Sequence, residues 1–267
     1  MEKLGLIAGN RKFPLLLSQA AKQKNHHIVA IAIKGDTSPA IKNYVDKVYW
    51  LGLNQFSRMF EIFKREGITK IVMAGQISPR RLFSLEVHQD PMLNSLLETI
   101  KDKKADTIFG AVAEKFKEFG LELIDSTTFV ADLLPKKGAL TRETPCFEAW
   151  EDIYFGLDLA KEIALLDIGQ AVAVKHKAVV AVEAMEGTDS LIRRAGLITG
   201  GGAIIVKVSK PKQDLRFDIP VVGLQTVKNL VKAGARALAI EAGKTLFIDR
   251  DLAVALANKK HVCIVAV

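Results

Sequence analysis

The chain has 267 residues, is 49% hydrophobic and carries a formal charge of +8. It can fill one large core or two ordinary ones, and it favours anionic partners, whether phosphorylated substrates, acidic lipid or nucleic acid. Cys146 and Cys263 lie far apart in sequence, and His26, His27, His88, His176 and His261 show no CxxC or HExxH spacing, which argues against a disulfide scaffold or a zinc site and leaves both cysteines as inert thiols.

No run approaches the roughly 18 consecutive apolar residues that a bilayer span needs. The amino terminus passes straight into a strand-like pattern, so a cytoplasmic protein is expected. From there the first half alternates strands and helices. Leu4-Gly5-Leu6-Ile7-Ala8-Gly9, Ile28 to Ile33 and Lys70-Ile71-Val72-Met73-Ala74-Gly75 are continuous apolar runs suited to buried parallel strands. Phe56, Met59, Phe60 and Phe63 recur at helical spacing, with Gly67 where the helix would stop. One long helix is expected from Pro91 to Phe119, closed by Gly120, followed by a strand at Leu121 to Asp125. This is a doubly wound α/β pattern.

Residues 134 to 145 combine turn formers with charge and form the best linker, so domains are expected at 1–134 and 135–267. An amphipathic helix from Phe147 to Leu166 opens the second domain. Short strands follow at Ala171 to Val174, Val179 to Ala184 and Ala203 to Val208. A helix near Thr226 to Lys232 and strands near Ala237 to Ile240, Thr245 to Ile248 and Val262 to Val267 return to α/β alternation.

Four places carry candidate chemistry. Gly9-Asn10 and Gly75-Gln76 end strands, where ligands of open α/β sheets collect, so they predict a nucleotide or sugar crevice, although GxGxxG is absent. Ala242-Gly243-Lys244-Thr245 imitates the end of a P-loop, but Leu238 stands where that motif needs glycine; a turn with Lys244 exposed is expected instead. Glu183-Ala184-Met185-Glu186-Gly187-Thr188-Asp189 precedes Arg193 and Arg194; Thr188 or Asp189 is expected to cap that helix, whose amino terminus beside two arginines suits a phosphate. Lys207 to Pro220 is the richest polar segment. Within it Asp218 lies between Phe217 and Ile219, where a carboxylate needs a partner. No Gly-x-Ser-x-Gly elbow supports a serine nucleophile.

Taken in order, Gly5-Leu6-Ile7-Ala8-Gly9 with Pro14, Ala74-Gly75, Leu166-Asp167-Ile168-Gly169-Gln170, Ala181-Val182-Glu183-Ala184 with Glu186-Gly187-Thr188-Asp189, and Lys210-Pro211 through Gln213-Asp214 to Arg216-Phe217-Asp218-Ile219-Pro220 resemble the LpxI-type UDP-2,3-diacylglucosamine pyrophosphatases of lipid A synthesis. The resemblance covers essentially the whole chain. It departs at Lys103-Lys104-Ala105-Asp106, where a glycine and two acidic residues are expected and only Asp106 is acidic.

The resemblance implies a Rossmann-like amino-terminal domain, a distinct carboxy-terminal α/β domain and an active site in the cleft between them. It further implies magnesium dependence, an essential aspartate at Asp218, attack of water on the sugar-side phosphorus, and lipid X and UMP as products. The residues then take these roles: Asp218 as metal ligand or base, Thr188 and Asp189 on the headgroup, Lys207, Lys210 and Arg193 on phosphate, and Gly9, Asn10, Gly75, Gln76, Gln170 and Gln213 on substrate. A membrane-borne acylated substrate also accounts for the positive charge and predicts transient contact with the inner-membrane surface. Two rivals are a nucleotide-sugar transferase using the same crevice and a nucleic-acid-binding protein; the even spread of Lys and Arg, without an RRM, KH or helix-turn-helix signature, argues against the latter.

Overall fold

A computed structural model describes residues 1–267 except Pro79, Arg80, Leu82, Phe83, Lys103, Lys104 and Lys212, and the side chains of Ala105 and Asp106. The expected departure at Lys103 to Asp106 therefore lies outside the described residues, as does Lys212 of the Lys207 to Pro220 segment. The chain divides into two compact units, one of residues 1–131 with 215–217, the other of residues 132–214 with 218–267.

In the first unit β1 (Glu2–Ala8), β2 (His26–Ile33), β3 (Lys47–Leu51), β4 (Lys70–Ala74) and β5 (Glu122–Leu123) form a parallel sheet in the order β3-β2-β1-β4-β5. Alternation along the strands divides their side chains between two faces. Ile7, Val29, Ile31 and Ile71 share a core with Met59, Phe60 and Phe63 of α2 (Phe56–Glu66), Leu93 and Leu97 of α3 (Pro91–Thr99), and Val112 and Phe116 of α4 (Ala105–Glu118). The buried Leu17 and Ala21 belong to α1 (Phe13–Gln23), which packs on β2 and β4.

The single helix expected from Pro91 to Phe119 is two helices. Ile100 is extended, with ψ 144°, and α3 ends there. β3 escaped the sequence reading because Lys47, Tyr49 and Trp50 interrupt its apolar character, and only Leu51 is fully buried.

The second unit is a three-layer α/β structure. Its sheet runs β6 (Gly138–Ala139), β13 (Cys263–Ala266), β11 (Ala237–Ile240), β9 (Ile204–Lys207), β7 (Ala171–Lys175), β8 (Ala178–Val182). β9, β11 and β13 are parallel; β6, β7 and β8 add antiparallel edges. Ile204, Val206, Ala237 and Ala239 face the Ala149, Ile153, Ala160 and Ala164 stripe of α5 (Phe147–Leu165). Ile205, Leu238 and Ile240 face Leu191 and Ile192 of α6 (Thr188–Thr199), Leu230 of α7 (Leu224–Lys232) and Ala253 of α8 (Arg250–Lys259). The small α5 stripe lets the helix sit close: a Cβ on Gly156 would lie 2.7 Å from Val206 Cγ2.

Residues expected as a linker are partly built into this unit. Gly138–Ala139 pairs with β13, and Thr141 Oγ1 accepts from the Ile264 amide at 2.9 Å. The segment after β11 is a turn, with Gly243 at φ 66° and an exposed Lys244, before β12 (Leu246–Phe247) pairs with β10 (Val221–Val222).

Candidate active site

The register of the second sheet explains why its polar residues meet. Lys207 at the end of β9 pairs with Ala171 at the start of β7 and with Ile240 at the end of β11, while Val172 pairs with Val182 at the end of β8. The residues just past these positions, Gln170, Glu183, Ser209, Lys210 and Glu241, therefore leave the sheet on one side. Carboxyl ends of parallel strands are where α/β sheets collect ligands.

Two buried lysines organise the cluster. Lys207 donates to Thr188 Oγ1 at 2.6 Å, Thr188 donates to Glu183 Oε1 at 2.7 Å, and Glu183 Oε2 accepts from the Gln170 amide at 3.2 Å. Lys210 lies 2.5 Å from Asp167 Oδ1 and 3.5 Å from Asp218 Oδ2. Asp167 sits just after α5 in the left-handed region, φ 56°, so the turn that ends the helix delivers its carboxylate.

Asp218 has the partners its apolar sequence neighbours demand. Gln170 Nε2 donates to its Oδ2 at 3.2 Å, and Gln213 Nε2 donates to its carbonyl at 2.8 Å. Gln213 Oε1 in turn accepts from the Lys210 amide at 2.8 Å and from Gln170 Nε2 at 3.2 Å. The side chain is 32% exposed, so it is not sealed from water.

The backbone beneath is held by Glu241. It accepts from the Ser209 amide at 2.9 Å and pairs with Lys161 and Lys244, while Lys161 also donates to the Ser209 carbonyl at 3.1 Å. Burial alone would raise the Glu241 carboxyl, but these hydrogen bonds and the Lys161 charge hold it below the usual carboxylate range.

Of the residues singled out in the sequence, Gln170, Thr188, Lys207, Lys210, Gln213 and Asp218 form this connected network. Arg193 instead bonds the Asp189 carbonyl at 3.2 Å and Ser190 Oγ at 3.0 Å on its own helix. The capping expectation fails: Gly187, at φ 79°, is the N-cap of α6 without a side-chain bond, and the Thr188 hydroxyl is engaged by Lys207 and Glu183. Asp167, Glu183, Glu241 and Lys161 are the members without an assigned role in the sequence reading. The first two lie inside quoted motifs; Glu241 and Lys161 carry no motif signal, and only the sheet register brings them in.

In the first unit, Gly9 and Gly75 stand at the ends of β1 and β4, where the strand order reverses. The Gly9 amide donates to the Ala74 carbonyl and the Asn10 amide to the Gln76 carbonyl, both at 2.8 Å. A Cβ on Gly9 would lie 2.7 Å from the Gln76 carbonyl oxygen, and one on Gly75 2.5 Å from that of Asn10. Close packing of the two turns thus explains both glycines. Asn10 Oδ1 is buried without a hydrogen-bond partner among the described residues, and Gln76 is exposed.

Among the described residues the ammonium groups of Lys207 and Lys210 share one network with the carboxylates of Asp167, Glu183 and Asp218. Among the described residues no three His, Cys, Asp or Glu side chains gather as a ready-made cage. Magnesium is commonly held by one or two carboxylates with substrate phosphate completing its shell, and on that criterion Asp218 fits.

Two α/β units, the second with lysines and carboxylates gathered at its strand ends, define an α/β enzyme. The LpxI N-terminal domain family matches residues 3–133 and the LpxI C-terminal domain family residues 136–265. The chain belongs to the LpxI family. A curated relative, "UDP-2,3-diacylglucosamine pyrophosphatase LpxI" of Caulobacter vibrioides, is 30% identical, over 97% of this chain and 95% of that protein. Among solved structures, N5-carboxyaminoimidazole ribonucleotide synthetase from Thermotoga maritima is 12% identical over 68% of this chain and 41% of its own, with a TM-score of 0.25. The biotin carboxylase domain of a single-chain bacterial carboxylase is 13% identical over 67% and 37%, with a TM-score of 0.24. Likenesses that weak bear on neither fold nor function.

Proposed function

We propose that this protein hydrolyses the pyrophosphate bond of UDP-2,3-diacylglucosamine, releasing UMP and 2,3-diacylglucosamine 1-phosphate, lipid X. The observation that carries the reading is the nearly full-length match to a relative named for that activity, with both family domains present. The Asp218 cluster is the site whose chemistry suits it.

Water attacks the sugar-side phosphorus; a phosphorus–oxygen bond forms, the anhydride bond to UMP breaks, and UMP leaves with the electron pair. Asp218, partly exposed to water, takes the water's proton or binds the cation. Gln170 and Gln213 fix the carboxylate and its backbone, so its orientation is set before substrate arrives. Lys210 and Lys207 neutralise phosphate oxygens, with Thr188 and Asp189 on the headgroup and Arg193 reaching phosphate from the α6 surface. Magnesium, held by Asp218 and substrate phosphate, would supply charge neutralisation and a more acidic water.

The order β3-β2-β1-β4-β5, reversing between β1 and β4, supports a Rossmann-like reading of the first unit. In this reading Gly9, Asn10, Gly75 and Gln76 take the nucleotide, and the substrate occupies an inter-domain cleft. The enzyme acts in the cytoplasm on a substrate drawn from the inner-membrane surface; among the described residues no helix is long and apolar enough to cross a membrane. Purified protein with magnesium should release UMP from UDP-2,3-diacylglucosamine, and excess chelator should suppress it. UDP as the first nucleotide product would refute the bond assignment, and full turnover in chelator would refute the metal.

A further inference from the structure

Outside the polar network, the same two loops of the second unit expose large apolar side chains. Leu166 and Ile168 flank Asp167 after α5, and Met185 follows Glu183 after β8; they are 62%, 48% and 58% exposed. The loops lie side by side, because a Cβ on Gly169 would stand 2.1 Å from the Glu183 carbonyl oxygen. Arg194 joins α6 to the second loop, donating to Glu186 at 2.9 Å and to the Val182 carbonyl. Arg193 is exposed one residue before it.

We propose that Leu166, Ile168, Met185, Arg193 and Arg194 form the surface by which the second unit rests on an anionic lipid bilayer. The inference rests on the proposed substrate and names the surface that meets it. Asp167 of the first loop and Glu183 of the second turn towards the Lys207 and Lys210 cluster, Glu186 pairs with Arg194, and the aliphatic side chains stay outside. A ligand with a charged headgroup beside hydrocarbon chains has that same division. Aliphatic side chains enter the acyl boundary while arginines stay at headgroup level, and a chain of net charge +8 is drawn to anionic lipid before they do. A second copy of the chain is the less fitting occupant, since it would bring the same excess of positive charge to the contact.

The test uses the full-length protein and vesicles of phosphatidylethanolamine and phosphatidylglycerol, with phosphatidylcholine vesicles as the neutral comparison. Wild type should co-float with the anionic vesicles and not with the neutral ones. Leu166→Asp with Met185→Asp should lower the bound fraction about tenfold, and Leu166→Gln with Met185→Gln by a smaller factor, at unchanged melting temperature. Turnover of substrate embedded in vesicles should fall in parallel, while turnover of detergent-dispersed substrate stays within about twofold of wild type.

Failure of wild type to bind anionic vesicles, or equal binding by folded variants, overturns the proposal. So does a loss of dimer in light scattering with vesicle binding retained, which would assign the surface to a second copy. If dispersed substrate is not cleaved by wild type, the functional reading fails, and vesicle flotation still decides the surface by itself.

Discussion

The Lys210 ammonium stands 3.5 Å from Asp218 Oδ2 while lying 2.5 Å from Asp167, so the lysine nearest the proposed reacting carboxylate is already committed to another one. The Lys210 and Asp167 side chains are only 9% and 16% exposed, respectively. Asp167 thus positions Lys210 rather than touching substrate, and the two are expected to behave as a unit.

Lys210→Ala should destabilise the protein by about 2 kcal/mol, below the ~3–5 kcal/mol of a fully buried broken pair because Asp167 keeps some water. Adding Asp167→Asn should recover much of that loss without restoring turnover, since it relieves the stranded charge but returns no cation to the phosphate. Urea midpoints and turnover of the single and double variants check this. Additive losses in both would show that the two side chains act independently.

Except for β3, the longer strands of both units are legible: buried parallel strands such as β1, β2 and β4 are written as continuous apolar runs, and the antiparallel β7 and β8 as short aliphatic runs between turn formers. What stayed illegible follows from what the third dimension supplies. The helix break after α3 begins at an extended Ile100, in a segment whose composition reads as helical. Asp218 stands out as a carboxylate between Phe217 and Ile219, while Lys210 is one charge of a polar loop and gains its role only from the family resemblance. Glu241 looked like any acidic residue after a strand until the pairing of Ile240 with Lys207 brought it beside Ser209. Thr188 read as a cap because threonine before a helix usually is one; Lys207, nineteen residues later, claims its hydroxyl instead.

The glycine turns of the first unit give a prediction that separates packing from ligand approach. Gly75→Ala places a Cβ 2.5 Å from a backbone oxygen at φ +83°, a conformation that costs an L-residue about 1–2 kcal/mol before the clash is counted. Gly9→Ala meets the Gln76 carbonyl at 2.7 Å. Both should lower the melting temperature without any ligand present. Gly110→Ala in α4, where the new Cβ would have none of the described residues within 4 Å, should raise stability by about 0.5–1 kcal/mol. Unaltered melting of Gly75→Ala, with nucleotide affinity alone reduced, would mean that the glycine serves the ligand.

Acid sensitivity should come from carboxylates held by amides in each unit. Burial would raise Asp90, but the amides of Ser57, Leu93 and Met92 and the Ser57 hydroxyl hold it below the ordinary range, and Glu241 is lowered in the same manner by Lys161, Lys244 and the Ser209 amide. A depressed folded pKa contributes stability above the unfolded value and loses it as pH falls through the folded one. Stability should therefore be level at neutral pH and decline once the solution enters and passes below the normal carboxylate range. Asp90→Ala, which removes the α3 N-cap, should cost about 1–2 kcal/mol at neutral pH. Its urea midpoint should vary less with acid than that of wild type; an identical slope would exclude Asp90 as a source of the acid loss.

Asp218→Ala is the sharpest test of the chemistry. The backbone contacts at this position, from the Asp218 amide to the Asp214 carbonyl at 3.0 Å and from Gln213 to the Asp218 carbonyl at 2.8 Å, do not need the carboxylate. Lys210 keeps Asp167, so no buried cation is stranded. The melting temperature should thus stay near wild type, as for a partly exposed position without a packing role. Turnover should fall about 100-fold or more, whether the lost function is proton acceptance or cation binding, while substrate is still retained by the lysines. Asp218→Asn preserves shape and the Gln170 neighbour but not the negative charge, so it should be as inactive as the alanine variant. Near-normal turnover in either variant would remove Asp218 from the mechanism. A collapsed melting transition in both would make it structural, and lost substrate binding with normal kcat would leave it a positioning residue.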